Sequence, residues 1–152
     1  MFERDDEGSF RDVDYYAANA LVTFNTHDLS TYAGWRSFSD LKLKRSLGID
    51  PGESDDARRQ ALTMLSDVLR HHGIDRHDLN AVVGFLARTK SRLLAISLED
   101  LLGLIDQPNI PGTVNEHPNW RRRLPLAIDG IAAAIDIAAL RSATAERIRA
   151  AV

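Results

Sequence analysis

Hydrophobic and polar positions alternate along this chain in a small number of recognisable patterns. Ala20-Leu-Val-Thr-Phe24 is a short continuous apolar run rich in β-formers. It predicts a strand buried on both faces. Polar residues follow at once: Asn25, Thr26, His27 and Asp28. A short helix is predicted over Thr31 to Ser37, continuing as Asp40 to Leu47 after a break, with Ser39 as N-cap and Gly48 as stop. The clearest helix begins after Ser54 and ends at Gly73. Asp55 and Asp56 occupy its first turn, and Ala57, Ala61, Leu62, Leu65, Val68 and Leu69 form one apolar stripe. A third helix is predicted from Arg76 to Arg88, where Leu79, Val82, Val83 and Leu86 keep helical spacing.

A second continuous apolar run, Leu93 to Leu98, reads as another buried strand. Strand, helices and strand make a crossover unit, so the two strands are predicted to be parallel with a right-handed connection. Ile105 to Pro125 has little periodicity and carries four prolines with Gly112, which predicts a long loop. An Ala-rich helix is predicted from Ala127 to Ala150, broken near Arg141-Ser142. There is no internal repeat and no low-complexity linker. Two parallel strands do not make a stable domain, because such strands need cover on both faces and neighbours on both edges. The pattern therefore predicts either a mostly helical chain with an unusual core or part of a larger sheet.

Composition narrows the function. The 152 residues are 44% apolar and 27% charged, ordinary values for a globular chain. The net charge of −3 argues against a nucleic-acid or anionic-membrane partner, which needs a basic face. Cysteine is absent, which excludes disulfides, thiolate catalysis and zinc–thiolate sites. The stretch Met1 to Phe10 is acidic and does not read as a signal peptide. The longest apolar stretch, Leu124 to Leu140, is interrupted by Asp129 and Asp136 and is too short to span a bilayer. The cytoplasm is the expected compartment.

Three collinear blocks carry a resemblance. The first is Asn25-Thr-His-Asp-Leu-Ser-Thr31, continuing through Ala33-Gly-Trp35 to Asp40-Leu-Lys-Leu-Lys-Arg-Ser-Leu-Gly48. The second is Phe85-Leu-Ala-Arg-Thr-Lys-Ser-Arg-Leu93, running into Leu98-Glu-Asp-Leu-Leu-Gly103. The third is Gln107-Pro-Asn-Ile-Pro-Gly-Thr113 with Glu116-His-Pro-Asn-Trp-Arg-Arg-Arg-Leu-Pro125. Together they resemble the C-terminal part of the 4-α-glucanotransferases (amylomaltases or disproportionating enzymes, glycoside hydrolase family 77). The likeness extends over roughly Phe2 to Pro125.

The resemblance implies an α/β fold, namely the last two βα units of a (β/α)8 TIM barrel, strands seven and eight, predominantly helical in this chain. A whole barrel takes about 250 residues before insertions, so the chain is expected to form a single partial domain. The implied chemistry is transfer of α-1,4-glucan segments by a retaining double displacement. Such a reaction needs a carboxylate nucleophile, an acid/base carboxyl and a site fitted to the oxocarbenium-like transition state. Asp28 matches the family's third carboxylate, which stabilises that transition state, and His27 matches the adjacent sugar-binding histidine. Asn109 looks like a residue lining the acceptor side of the cleft. The motifs carrying the nucleophile and the acid/base are not found in this chain. The implied partners are maltooligosaccharide and the missing N-terminal part of the barrel. No cofactor and no metal are implied.

Each of these residues also has a plainer reading. Asp28 could simply cap the next helix after a strand-end turn. His71, His72, Asp75, His77 and Asp78 suggest a metal site, but a helix C-terminus favours the histidines and Asp75 is a natural cap for the next helix. Glu99 and Asp100 diverge as neighbours and open a short helix, so they are read as structural. Arg121, Arg122 and Arg123 could bind phosphate or, more simply, pair with nearby carboxylates. Trp120 could stack on a sugar, but a barrel-closing core tryptophan is the favoured reading. The competing functions are therefore a segment of the transferase, a non-catalytic maltodextrin-binding or complementing module, and a degenerate remnant.

Overall fold

A computed structural model describes residues 3–145 and 147. After a 3-10 turn at Val13–Tyr15 come β1 (Leu21–Thr23), α1 (Tyr32–Arg36), α2 (Ser39–Ser46), α3 (Asp55–His71), α4 (Leu79–Ala87), β2 (Leu93–Ala95), α5 (Leu98–Leu101), α6 (Ile128–Ala134) and α7 (Ile137–Ala143). Helix thus far outweighs strand, and the described residues form one small sheet. The chain forms two compact units.

The first unit draws on the residues up to Phe24, on Ala61–Ile96, and on the chain from Asp136 onward. Its strands are parallel, in the register Leu21↔Leu93, Val22↔Leu94 and Thr23↔Ala95. The pairing is extended by the Arg92 amide donating to Ala18 O at 2.9 Å and the Ser91 hydroxyl donating to Ala17 O at 2.9 Å. Helix α4 is apolar but for Asn80 and accordingly enclosed: Ala81, Val82, Val83, Phe85, Leu86 and Ala87 are all buried. It packs on α7. Leu65 and Leu69 from the α3 stripe are also buried, with Phe10 and Val22.

The second unit comprises Asn25–Gln60 and Ser97–Ile135. Tyr32, Trp35, Leu41 and Ile110 are its buried apolar side chains. It also encloses a charge cluster. Arg58, 2% exposed, reaches both oxygens of buried Asp40 at 2.9 and 2.8 Å and Glu53 Oε2 at 3.1 and 2.9 Å. It donates to Trp35 O as well, and its guanidinium lies over the Trp35 ring, 5.1 Å from the centroid.

Several expectations are corrected. The strands are shorter than the apolar runs. The second run stops at Ala95 because Ser97 caps α5, its hydroxyl accepting from the Asp100 amide at 3.1 Å. Nor is the sheet buried on both faces: Val22 is enclosed, but Leu21 is 54% and Leu93 61% exposed. These two are register partners, so one face of the sheet is apolar and open among the described residues. Ser39 does not cap α2. Its hydroxyl is bonded to Ser37 Oγ at 2.8 Å, and Phe38, at φ 62°, takes the cap position without a side-chain bond. In α3 Ala57 is exposed, and Arg58 takes the inner face. Helix α4 starts at Leu79 because Asp78, not Asp75, caps it, accepting from the Ala81 amide at 2.9 Å. The Ala-rich segment breaks at Ile135, not near Arg141, since Asp136 caps α7 by accepting from Ala139 N at 2.9 Å. Residues 146 and 148–150 of that predicted helix lie outside the described residues. No helix among the described residues is long and apolar enough to cross a membrane.

Candidate functional site

The segment that follows β1 is pinned from both ends by its own polar residues. Buried Asn25 donates from Nδ2 to Ser30 O at 3.1 Å, and the Leu29 amide closes a turn onto Thr26 O at 3.0 Å. Thr31 caps α1, its hydroxyl accepting from Gly34 N at 3.0 Å and donating to Ile105 O at 3.1 Å. Asp28 is therefore not the helix cap, and that reading is set aside. Buried Asp100 accepts from the Tyr32 amide at 2.6 Å and from the Ser97 hydroxyl at 2.7 Å. Burial pushes its carboxyl above the usual aspartate range, against the lowering effect of the Tyr32 N–H, Ser97 and Asn25. As anticipated, Asp100 opens a short helix and serves the scaffold.

Held in this way, the turn presents His27 and Asp28 half-exposed. Asp28 Oδ1 accepts from Asn109 Nδ2 at 2.6 Å, and Asp28 Oδ2 lies 3.2 Å from His27 Nε2. The three residues singled out in the sequence thus meet in one cluster, with the Asn109 amide donating to one carboxylate oxygen and the His27 imidazole beside the other. Such a carboxylate is oriented and keeps lone pairs directed outward, as recognition of vicinal hydroxyls requires.

Asn109 comes from the long loop, which is stitched to itself. Gln107 Nε2 donates to Asn109 O at 2.6 Å, and buried His117 lies with Nε2 3.1 Å from Gln107 O. Asn119 accepts from the Ile110 amide at 2.9 Å and donates to Thr113 O at 3.0 Å and Thr113 Oγ1 at 2.7 Å. Arg122 pairs with Asp106, and Arg121 donates to Val114 O at 3.4 Å. The simpler reading of these two arginines, as ties for the loop, fits this geometry.

Of the two tryptophans, the one expected to close the barrel is open to solvent in this chain. Trp35 is buried, but Trp120 is 65% exposed, and its ring lies 5.1 Å from that of His27 at 48°. Its φ is 59°, a left-handed conformation that costs a bulky residue roughly 1–3 kcal/mol. Asn119, immediately before it, and the Trp120 amide bond to Pro108 O at 3.1 Å hold that conformation. No periodicity or composition in the sequence signals this turn.

Within the histidine-rich stretch, Asp78 caps α4 and His72 is held by its neighbours. In the first unit His72 Nε2 lies 3.0 Å from Asp12 Oδ2, and its ring meets Phe85 edge-on at 5.2 Å. Burial pushes the Asp12 carboxyl upward, but the His72 bond and the Asp14 amide outweigh it and hold the group below its ordinary range. Among the described residues no group of three or more His, Asp or Glu could hold a metal ion.

The family model for 4-alpha-glucanotransferase matches residues 1–128. The chain is 35% identical over 112 residues to a 4-alpha-glucanotransferase of Mycobacterium tuberculosis, an alignment covering 66% of this chain and 16% of that protein. It is 34% identical over 140 residues to the enzyme of that name from Haemophilus influenzae, covering 79% of this chain and 20% of the relative. The crystal structure of amylomaltase from Corynebacterium glutamicum superposes with a TM-score of 0.70 at 23% identity, over 88% of this chain and 23% of that one. The fold is thus that of part of an amylomaltase, and the chain spans no more than a fifth of the length of these curated relatives. By the extent of the family match, this chain belongs to the 4-alpha-glucanotransferase family, glycoside hydrolase family 77.

Proposed function

We propose that the chain supplies part of the catalytic site of a 4-α-glucanotransferase acting on α-1,4-glucans such as maltooligosaccharides. In this reading β1 and β2 are strands seven and eight of the catalytic barrel, and the chain is part of that single domain. Asp28 stabilises the oxocarbenium-like transition state, while His27 and Asn109 bind sugar hydroxyls. The nucleophile and the acid/base carboxyl are contributed by the rest of the barrel. The observation that carries the reading is the 2.6 Å bond between Asn109 and Asp28, with His27 at 3.2 Å on the other oxygen. A carboxylate held by the Asn109 amide is already oriented before substrate arrives, and pre-oriented charge is what stabilises a developing cation. In this reading the activity belongs to maltodextrin metabolism in the cytoplasm.

The test is a disproportionation assay on maltotriose. The chain alone is expected to give no turnover, and mixing it with the remainder of the barrel from the Haemophilus influenzae relative is expected to restore it. Asp28→Asn should lower the reconstituted rate by about a hundredfold or more. Turnover by the chain alone would contradict the missing-carboxylate reading. Reconstitution indifferent to Asp28→Asn would remove Asp28 from the mechanism and favour a purely structural complementing module.

A further inference from the structure

We infer that Trp120 is a stacking platform for a glucose ring of the bound glucan, presented beside Asp28 by a strained backbone. The inference rests on the proposed glucan site and adds to it a residue that the resemblance leaves unassigned. Three observations carry it. An indole is the largest apolar side chain, yet Trp120 is 65% exposed while the other tryptophan, Trp35, is buried. Its ring stands 5.1 Å from His27, which itself touches Asp28, so the exposed face adjoins the polar cluster. The backbone at φ 59° is one that bulky residues avoid, and it is held by Asn119 and by the Trp120 amide bond to Pro108 O. Strain kept in a loop to expose an aromatic ring has no packing benefit; beside a binding cluster it is a means of presentation.

The chemistry that suits such a platform is a pyranose. Its axial C–H bonds form an apolar face, and its equatorial hydroxyls point outward from the ring. The indole would cover the face while Asp28, His27 and Asn109 reach the hydroxyls at the edge. Indole and imidazole planes inclined at 48° form an open corner and not a closed stack, which leaves the indole surface available.

The test uses the isotope-labelled chain titrated with maltoheptaose, with the indole N–H resonances of Trp120 and Trp35 followed by NMR. The Trp120 indole is expected to shift and the Trp35 indole to stay. Trp120→Phe should bind within about threefold of the parent, and Trp120→Gly about tenfold or more weakly. Glycine adopts positive φ without strain, so Trp120→Gly should melt no lower than the parent despite losing affinity. A merely structural tryptophan would give the reverse: lower melting and unchanged binding. Backbone shifts at Asp28 and Asn109 with an unmoved Trp120 indole would overturn the platform and leave the proposed site standing. A Trp120 shift that survives Asp28→Asn with full affinity would uphold the platform and count against the role of Asp28. No shift at Trp120 at saturating maltoheptaose overturns the inference.

Discussion

The side-chain amide of Asn109 donates to Asp28 Oδ1 at 2.6 Å, across 81 residues of chain. The bond fixes which oxygen of Asp28 is occupied and which way the carboxylate faces. Replacing the amide by a second carboxylate makes the dependence measurable. In Asn109→Asp two carboxylates would lie against each other, and like charges at that distance do not both ionise. One carboxyl of the pair should therefore titrate well above the usual aspartate range, as seen by carbon NMR of labelled aspartates. Two ordinary titrations would show that the contact is not kept in solution.

Arg58 makes the strongest stability prediction. Burial works to discharge it, but Asp40 and Glu53 outweigh that and keep the guanidinium charged. Arg58→Met would leave Asp40 enclosed without its cation, at a cost of about 3–5 kcal/mol. Urea melts should show that loss, and Arg58→Met with Asp40→Leu should recover much of it. Failure of the second change to recover stability would mean that packing over Trp35, not charge, is what Arg58 provides.

Two helical glycines should respond oppositely to alanine. A Cβ on Gly34 would lie 2.4 Å from Ile105 O, a backbone atom that cannot swing aside. Gly34→Ala should cost about 1–3 kcal/mol. A Cβ on Gly84 would meet nothing nearer than Ala143 O at 3.6 Å, an ordinary contact. Gly84→Ala should be neutral or stabilising by up to about 1 kcal/mol through helix propensity. Thermal melting of the two variants side by side checks the pair.

Two carboxyls give opposite pH dependences. The folded-state pKa of Asp12 lies below 3.8, so its contribution is present above that pH and is lost as pH falls through the folded value. Asp12→Asn should flatten the acid limb of the stability curve. The folded-state pKa of Asp100 lies above 3.8, so its ionisation opposes folding increasingly as pH rises from 3.8 through the folded value. The difference between parent and Asp100→Asn should therefore move in favour of the parent on acidification. Urea midpoints at several pH values between acid and neutral would reveal both signs.

The open sheet face predicts association. Leu21 and Leu93 are adjacent across the ladder and both exposed. Replacing both by threonine keeps β-propensity and removes the apolar patch. The double variant should bind less ANS and show a lower mass by light scattering than the parent. Equal values would show that this face is not what associates.

What the sequence disclosed followed the range of the interactions involved. Ala61, Leu65 and Leu69 repeat at helical spacing, and Ser54 caps α3 by accepting from Ala57 N at 3.1 Å, so that helix was legible from local pattern. Arg58 sits in the same helix but is buried by Asp40, 18 residues away, which no local window contains. Asp75 and Asp78 are equally good caps on paper; the choice fell to the residue from which Leu79 could begin an enclosed helix. His27 and Asp28 stood out as polar residues directly after an apolar run, whereas Asn109 was visible only through resemblance to a family. Their meeting depends on a loop held by His117 and Asn119, and the outward turn of Trp120 on a single backbone angle.

The span of the pairings that define the sheet and the site also sets an order of assembly. Ser91 reaches Ala17 across 74 residues, and Asn109 reaches Asp28 across 81. Closing a chain loop of that length costs about 2 kcal/mol more than closing one of ten residues. Helices α3 and α4 meet no such barrier, since their backbone bonds are local. They can form and collapse early, while both strand pairing and the Asp28 cluster wait for distant segments to find each other. Refolding should accordingly show helix in far-ultraviolet circular dichroism before the Asp28 and Asn109 resonances take their native positions.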